Sequence, residues 1–350
     1  MRRVLPAIGL YFLAPLVAEF LLGDIPIISG VGLVALLGSS LLYGSGAVLI
    51  REVVRRAGYG WPTIITFALA YGVIEESFAT LSLFNPHYAG WHLLDYGYIP
   101  ALGIGLPWML FVLGLHMIWS ISVPIAIVEM LAGSRRTTPW LGKIGLAVLA
   151  ILFVATVIFS FTTSTHADGF VASIFQFIGA GIAVIIIVTI GILLGRHRVV
   201  LRTTITRNTP SLWLVLIVSL IAGSLFMLIY SADPRGLSPW LANINLPPWL
   251  AVVLYLVLYA GVAALINFWS RLNGWSDAHR LALAGGALLT YAWHAFPWPS
   301  LLPGTSDLVK LASNTILAAG AVALLAIAAL RLRTPTSLSA GVGSLYRRSA

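Results

Sequence analysis

The sequence predicts an all-α, polytopic membrane protein of about ten transmembrane helices, and three observations support this fold class. Of the 350 residues, 59% are hydrophobic and only 9% are charged, whereas soluble domains average about 45–50% and about 25%. Apolar stretches of about 20 residues, long enough to cross a bilayer, recur along the chain. Lys and Arg residues cluster in alternate connections between these stretches. A soluble globular protein and a disordered chain are therefore excluded.

Ten apolar stretches are predicted to span the membrane. The first, about residues 4–22, follows a basic start without a small-residue cleavage site, so it is expected to remain as an uncleaved helix. The fourth, about residues 102–131, is long and contains Pro107 and Pro124, which predicts a tilted or kinked helix. The other predicted spans cover about residues 31–50, 62–83, 143–162, 170–195, 211–230, 249–269, 281–299 and 311–330.

The positive charges predict the orientation of these spans. Eighteen of the 20 Lys and Arg residues precede the first span or follow an even-numbered span, and only Arg235 and Lys310 fall on the other side. Because Lys and Arg stay cytoplasmic during insertion, both termini are predicted to be cytoplasmic. The protein is expected in a plasma membrane, namely the cytoplasmic membrane of a prokaryote. The net charge of +9 is then explained by topology and by the lipid bilayer as partner, with no nucleic-acid partner.

The domain organisation is simple. No connection between spans is long enough to fold separately, so residues 1–333 are predicted to form a single transmembrane domain. Residues 334–350 form a polar, basic tail that is expected to be a disordered cytoplasmic segment. The chain contains no cysteine, which excludes disulfides, thiolate nucleophiles and Cys-bound metals.

Four ionisable residues lie inside predicted spans and are candidate functional groups. Glu75 and Glu76 lie in the third span, His116 in the fourth and His294 in the ninth. Each costs about 2.5–3.5 kcal/mol to place in the membrane centre. At 1.5 Å per residue, all four lie about 20 Å from the inner end of their spans. They are therefore predicted to converge within about 8 Å, in a cavity reached from the outer face.

The chemistry of these groups favours a metal site. Two adjacent carboxylates in a low dielectric cannot both ionise without a cation nearby. Two His with one Glu are a common ligand set of catalytic zinc. Glu75, His116 and His294 are the predicted ligands of zinc or another divalent metal, and Glu75 and Glu76 are the predicted catalytic residues, one of them as general base. The small residues near Glu75 at helical spacing indicate close packing on its face of the helix, and they are Ala68, Gly72, Ala79 and Ser82.

A paired Glu followed by His residues on later helices resembles the CPBP intramembrane metalloproteases, the CAAX-protease and bacteriocin-processing family. The pattern of that family is EExxxR, then FxxxH, then HxxxN or HxxxD. Glu75 and Glu76 match the pair, and the resemblance assigns His116 and His294 to the two His positions. The chain departs from the pattern at Thr80, in the Arg position, and at Trp298, in the Asn or Asp position. The resemblance implies a metal-dependent peptidase.

Other polar signals are weaker. His87, His92 and Asp95 lie within nine residues in loop 84–101, one of the two longest outer loops, where they could form an outer-loop cation site and the loop could form a lid. Glu19, Glu52 and Glu129 lie near span ends and are expected to extend toward the membrane surface. The sequence Gly44-Ser45-Gly46 indicates close helix packing rather than a serine nucleophile. HExxH, P-loop and GxGxxG motifs are absent.

Three functions remain open at this stage. The first is an intramembrane metal-dependent hydrolase, a peptidase acting on a membrane-embedded or lipid-linked substrate. The second is a secondary transporter or proton-coupled permease, since buried Glu and His also form proton relays. The third is a membrane scaffold whose polar core is structural, with the buried carboxyls neutral and hydrogen-bonded. The residues available as partners in that case are Tyr71, Ser120, Thr290 and Tyr291.

Overall fold

The computed structural model describes residues 4–196 and 205–333, and the predicted tail 334–350 lies outside the described residues. The described part forms ten helical segments joined by short loops, which confirms the predicted all-α membrane bundle. The segments are α1 Leu5–Leu21, α2 Gly32–Arg56, α3 Trp61–Ile74 with its continuation Glu75–Ala79, α4 Leu106–Arg135, α5 Lys143–Asp168, α6 Ile174–Arg196, α7 Leu212–Tyr230, α8 Pro248–Trp269, α9 Asp277–His294 and α10 Asp307–Arg333.

Each helix lies where a span was predicted. In the described part of the chain, seven helices are long and apolar enough to cross a membrane, namely α2, α4, α5, α6, α7, α8 and α10. Helix α1 is apolar but shorter, and α3 and α9 are not among these seven. The crossing of the membrane by all ten helices and the cytoplasmic position of both termini therefore stay predictions.

Helix α4 lies at the centre of the bundle. Of its most apolar stretch 78% is buried inside the protein, against 0% for α5 and 11% for α6. The peripheral helices therefore expose apolar side chains to lipid, while α4 is surrounded by protein. Helix α4 also carries both predicted kink residues: Pro107 lies in its first turn, where the missing N–H is harmless, and Pro124 follows a π-helical stretch.

Small residues allow the closest helix crossings. Helix α9 packs most extensively against α7, and α3 packs against α6. At the first of these crossings, a Cβ added to Gly286 would lie 2.4 Å from the carbonyl oxygen of Leu216. In a membrane, where lipid is as apolar as the side chains, such close backbone approach stabilises helix pairs.

Short strands connect the helices outside the bundle. Tyr98–Ile99 (β1) and Ile104–Gly105 (β2) form a small antiparallel pair just before α4. Ile205–Asn208 (β3) pairs in parallel with Leu272–Asn273 (β4), so the segment after α6 is held against the α8–α9 connection. These pairs satisfy backbone groups where the chain is not helical.

Candidate functional site

Four helices switch from α-helical to π-helical geometry near the centre of the bundle. The π-helical turns are Leu16–Leu21, Ser40–Gly44, Glu75–Ala79 and His116–Ser122. Each carries a polar residue that the following contacts bring together, and these are Glu19, Tyr43, the Glu75–Glu76 pair and His116. Since π-helical turns occur frequently at functional sites, their joint position marks this region as the candidate site.

Glu75, Glu76 and His116 form the core of the site. The Nε2 atom of His116 lies 2.6 Å from Oε1 of Glu76, and its Nδ1 atom lies 3.2 Å from Oε2 of Glu75. One ligand atom from each of the three residues lies within 4.8 Å of the others. The relative exposure of the three residues is only 2–5%. The predicted convergence of the Glu pair with His116 is therefore confirmed.

Hydroxyl groups hold the Glu76 carboxylate in place. Leu81 has a φ of 62°, a left-handed conformation that is rare outside glycine and turns the chain at the end of α3. The turn brings the Ser82 hydroxyl onto Oε2 of Glu76, where the Thr80 hydroxyl also donates at 3.0 Å. Thr80, which occupies the Arg position of the CPBP pattern, is thus a direct partner of Glu76. The other carboxylate oxygen of Glu76, Oε1, faces His116.

The Glu75 carboxylate is less completely paired. Its Oε2 atom makes no hydrogen bond of ordinary geometry, although it lies beside Nδ1 of His116. That ring nitrogen also has the Ser120 hydroxyl at 3.1 Å. A buried carboxylate oxygen without a hydrogen bond is unfavourable, so this atom is available for a proton, a cation or a substrate.

Two tyrosines and Glu19 surround the imidazole. The Tyr43 ring stacks on His116 with centroids 5.9 Å apart, and the Tyr71 ring meets it edge-on at 6.2 Å. The Tyr71 hydroxyl is buried and makes no hydrogen bond of ordinary geometry. Glu19 lies close enough to interact electrostatically with His116 and Glu76. Sequence reasoning missed Glu19 and Tyr43 as site residues, because their neighbours come from other helices.

Small residues bring α3 and α4 close together at the site. A Cβ added to Gly72 would lie 3.2 Å from Cβ of His116. Ala68 and Ala79 are fully buried, and Ser82 is 1% exposed. The predicted small, closely packed face around Glu75 is therefore confirmed.

His294 is not a member of the group that the structure brings together. The group contains Glu76 where the predicted ligand set had His294. His294 is fully buried, and neither ring nitrogen makes a hydrogen bond. Its ring packs against Trp293 and Trp298, with centroids 5.2 Å and 5.3 Å away. Depth along a helix does not determine the direction in which a side chain points around the helix axis. His294 and His116 can therefore lie at similar depths without being partners.

The predicted outer-loop residues are close together but differently engaged. The rings of His87 and His92 meet edge-on at 4.9 Å, and Nδ1 of His92 lies 3.7 Å from Oδ2 of Asp95. The same Asp95 oxygen is ion-paired with Arg235. His92, Asp95 and Arg235 line an open cavity of about 480 Å³. In the part of the chain that the structure describes, these loop residues form no metal-ligating group; their role as a lid or cation site stays a prediction.

A second polar cluster lies at the other end of α4 and was not predicted. The expectation that Glu52 and Glu129 extend to the membrane surface is wrong, because they are 0% and 1% exposed. Arg55 binds Glu129 through two hydrogen bonds, of 2.7 Å and 2.6 Å. Arg51 contacts Glu52 at 2.6 Å and Glu129 at 3.2 Å. We call these four residues the ionic network.

Further contacts anchor the ionic network to the α4–α5 connection. Glu52 accepts hydrogen bonds from the backbone N–H of Trp140 and Leu141, at 2.8 Å and 3.2 Å. The guanidinium of Arg51 lies 3.4 Å from the Trp140 ring centroid and donates to the Arg136 carbonyl at 2.6 Å. The network therefore ties α2 and α4 to the α4–α5 connection, and it has the character of a structural element.

The α7–α8 connection contains a buried carboxyl whose titration is expected to change stability. Burial raises the pKa of Asp233 from 3.8 to about 6, although the backbone N–H of Arg235 donates to the carboxylate at 2.9 Å. The unfolded chain therefore ionises first as the pH rises, and folding stability falls between about pH 4 and pH 6. The pKa difference corresponds to about 3 kcal/mol.

We expect Asp233→Asn to remove this loss of stability. The variant keeps the side-chain oxygen that accepts the hydrogen bond from the backbone N–H of Arg235. The variant should gain about 3 kcal/mol over the wild type at pH 7 and nothing at pH 3.5. The difference between the thermal midpoints of variant and wild type, measured at half-unit pH steps, tests this. A difference that is constant across the range would contradict the shifted pKa.

Comparison with known proteins gives a family and nothing finer. Neither the curated proteins nor the solved structures contain a significant match to the chain. A family described as an uncharacterized membrane protein family matches residues 9–340, which include all the residues of the candidate site. With this match and the ten-helix bundle together, the chain belongs to that uncharacterized membrane protein family.

Proposed function

We propose that the protein is a metal-dependent hydrolase of the plasma membrane, a peptidase that acts on a membrane-embedded or lipid-linked substrate. One observation carries the proposal. The buried side chains of Glu75, Glu76 and His116 offer three ligand atoms within 4.8 Å of one another, in the interior of a membrane bundle. Ionisable groups are expensive there and are functional candidates by default.

The donor set suits a divalent cation. Imidazole and carboxylate ligands without sulfur fit zinc and also manganese or iron. Three protein ligands leave a further coordination position for water, which is the arrangement of catalytic rather than structural zinc sites. The Glu75 oxygen without a hydrogen bond is the atom that a bound cation would satisfy. The residues present therefore fit the metal, with Glu76 as the third ligand where the sequence suggested His294.

The surrounding side chains can supply the remaining chemistry of hydrolysis. A bound divalent cation lowers the pKa of a coordinated water and polarises a carbonyl group. Glu19, outside the ligand set but electrostatically linked to Glu76 and His116, is the proposed acceptor of a proton from this water. The Tyr71 hydroxyl, which lies beside Glu75 and makes no hydrogen bond of ordinary geometry, is the proposed donor for the carbonyl oxygen of the substrate. The resemblance of the Glu pair and His116 to the CPBP pattern supports the same class of reaction.

A proton-coupled transporter is the second candidate, and one observation favours it. His116 has a carboxylate beside each ring nitrogen, at 2.6 Å and 3.2 Å. A proton could pass from one carboxylate to the other through such an imidazole, which has the character of a proton relay. Metal content and proton flux distinguish the two candidates.

Metal binding is the first test. We expect protein purified through a tag without histidine to contain about one divalent cation per chain. Glu76→Gln and His116→Ala should each lower the zinc affinity by at least about tenfold. Loss of a metal ligand should cost at least as much affinity as loss of a side chain that hydrogen-bonds to a ligand. Elemental analysis and zinc titration measure both quantities.

The matched control is His166→Ala, which removes an exposed histidine at the outer end of α5 and should leave the metal content unchanged. Gel filtration and circular dichroism establish that each variant is folded. Equal metal content in wild type and His116→Ala, with a proton flux into proteoliposomes that Glu76→Gln abolishes, would instead establish the transporter.

A further inference from the structure

A crevice opens on the side of the bundle between α2 and α5. Its walls are residues 38–43 of α2 and residues 152–160 of α5, and its volume is about 570 Å³. This volume lies within the range of about 300–1,000 Å³ that is usual for ligand sites. The crevice is separate from the open cavity at the outer loop, which is lined by other residues.

The crevice opens toward the lipid. Helix α5 has none of its most apolar stretch buried, and Leu37 and Phe159 beside the opening are 51% and 66% exposed. The walls are mainly apolar, and the Thr156 hydroxyl is already satisfied, since it donates to the Leu152 carbonyl at 2.8 Å. Whatever enters this crevice therefore comes from the hydrocarbon layer rather than from water.

The inner end of the crevice reaches the candidate site. Tyr43 lines the crevice and is only 7% exposed. The same ring stacks on His116, with centroids 5.9 Å apart. One aromatic ring thus separates the lipid-facing crevice from the Glu75–Glu76–His116 group.

We propose that the crevice binds one acyl chain of a membrane lipid, which enters between α2 and α5 and ends at Tyr43. A transmembrane helix is a poor fit, because the walls cover only residues 152–160 of α5, about 13 Å of its length, whereas a membrane-spanning helix would contact the bundle over about 30 Å. An unbranched apolar chain fits the volume, the apolar walls and the lateral opening. The role of this chain as the lipid part of a lipid-linked peptide substrate rests on the proposed function, whereas its binding does not.

Photo-crosslinking tests the binding. The purified protein is placed in nanodiscs that contain a phospholipid with a diazirine in its acyl chain, and the labelled peptides are mapped after irradiation. We expect labels on residues 38–43 and 152–160. Ala155→Trp should fill the crevice and lower this labelling by about tenfold, equivalent to about 1.4 kcal/mol of binding. Val154→Trp, which replaces a 55% exposed neighbour on α5 outside the crevice, should leave it unchanged.

Two controls keep the result decisive. Labels on the lipid-facing surface of α6, where Phe175 is 81% exposed, report general contact with lipid and should be equal in all variants. Gly38→Leu fills the crevice from the other wall, where an added Cβ meets open space, and replaces Ala155→Trp if that variant folds poorly. Labelling of the crevice that both filling variants leave intact would overturn the proposal. Zinc affinity in the same preparations separates this outcome from failure of the proposed metal site.

Discussion

Glu129→Ala is expected to destabilise the protein by about 3–5 kcal/mol, because it leaves the buried guanidinium of Arg55 without an anionic partner, whereas Arg51 keeps Glu52. Glu129 is the shared acceptor of Arg51 and Arg55, and all three side chains are at most 5% exposed. Removal of one member of a buried ion pair is far more costly than the net contribution of the pair, since the remaining charge stays away from water. Arg55 would retain the Tyr59 carbonyl, at 3.1 Å, as a neutral acceptor.

The matched control for this prediction is an exposed ion pair. Arg280 contacts Asp277 at 2.6 Å, but its side chain is 40% exposed, so Arg280→Ala should cost about 0–1 kcal/mol. The free energies of unfolding of both variants are measured in mixed micelles that contain an increasing fraction of a denaturing detergent. A cost below about 1 kcal/mol for Glu129→Ala would show that the network is hydrated and contributes no more than a surface pair.

The ionic network also shows what the sequence could not predict. Arg51 and Glu129 are 78 residues apart, and Glu52 is bound by the backbone of Trp140 and Leu141 in a loop. Near a span end, a charged side chain can equally reach water or a partner from another helix. One available signal was the spacing of Arg51 and Arg55 on one face of a helix, together with Glu129 at the same end of the bundle.

The candidate site was more predictable because its geometry follows from helix rise and topology. Glu75 and His116 lie on consecutive helices that run in opposite directions, so their depths could be compared residue by residue. Small residues such as Gly72 indicated the face on which the helices approach. His294 lies on α9, five helices after α4 in chain order, and nothing in the sequence determined its rotation about α9.

The π-helical turns were not predictable from the hydrophobic pattern. Periodicity detects about 3.6 residues per turn over a long window, whereas a π-helical turn adds a residue in one place. The extra residue changes which side chains lie on the inner face beyond it. This shift, together with the position of their partners on other helices, explains why Glu19 and Tyr43 were missed, although the helices that carry them were predicted.

Gly44→Ala is expected to destabilise the protein by about 3 kcal/mol, toward the upper end for overpacked sites. Gly44 lies in the π-helical turn of α2, directly after Tyr43, and faces α1. A Cβ at this position would lie 2.1 Å from the carbonyl oxygen of Tyr11. Because the obstacle is backbone, no side-chain rotation can relieve it, and α1 and α2 must separate. Tyr43 would move with α2, so the stacking on His116 should also be weakened.

Gly9→Ala provides the contrast, since Gly9 lies in α1 near the same crossing but an added Cβ meets no atom within 4 Å. Alanine is the better helix former by about 0.8–1.0 kcal/mol, so this variant should be unchanged or slightly more stable. Thermal unfolding measures both effects, and the zinc affinity of Gly44→Ala reports on the site. If the two variants unfold at the same temperature, the close approach of α1 and α2 is wrong; if only Gly44→Ala is destabilised but its zinc affinity is unchanged, Tyr43 does not position His116.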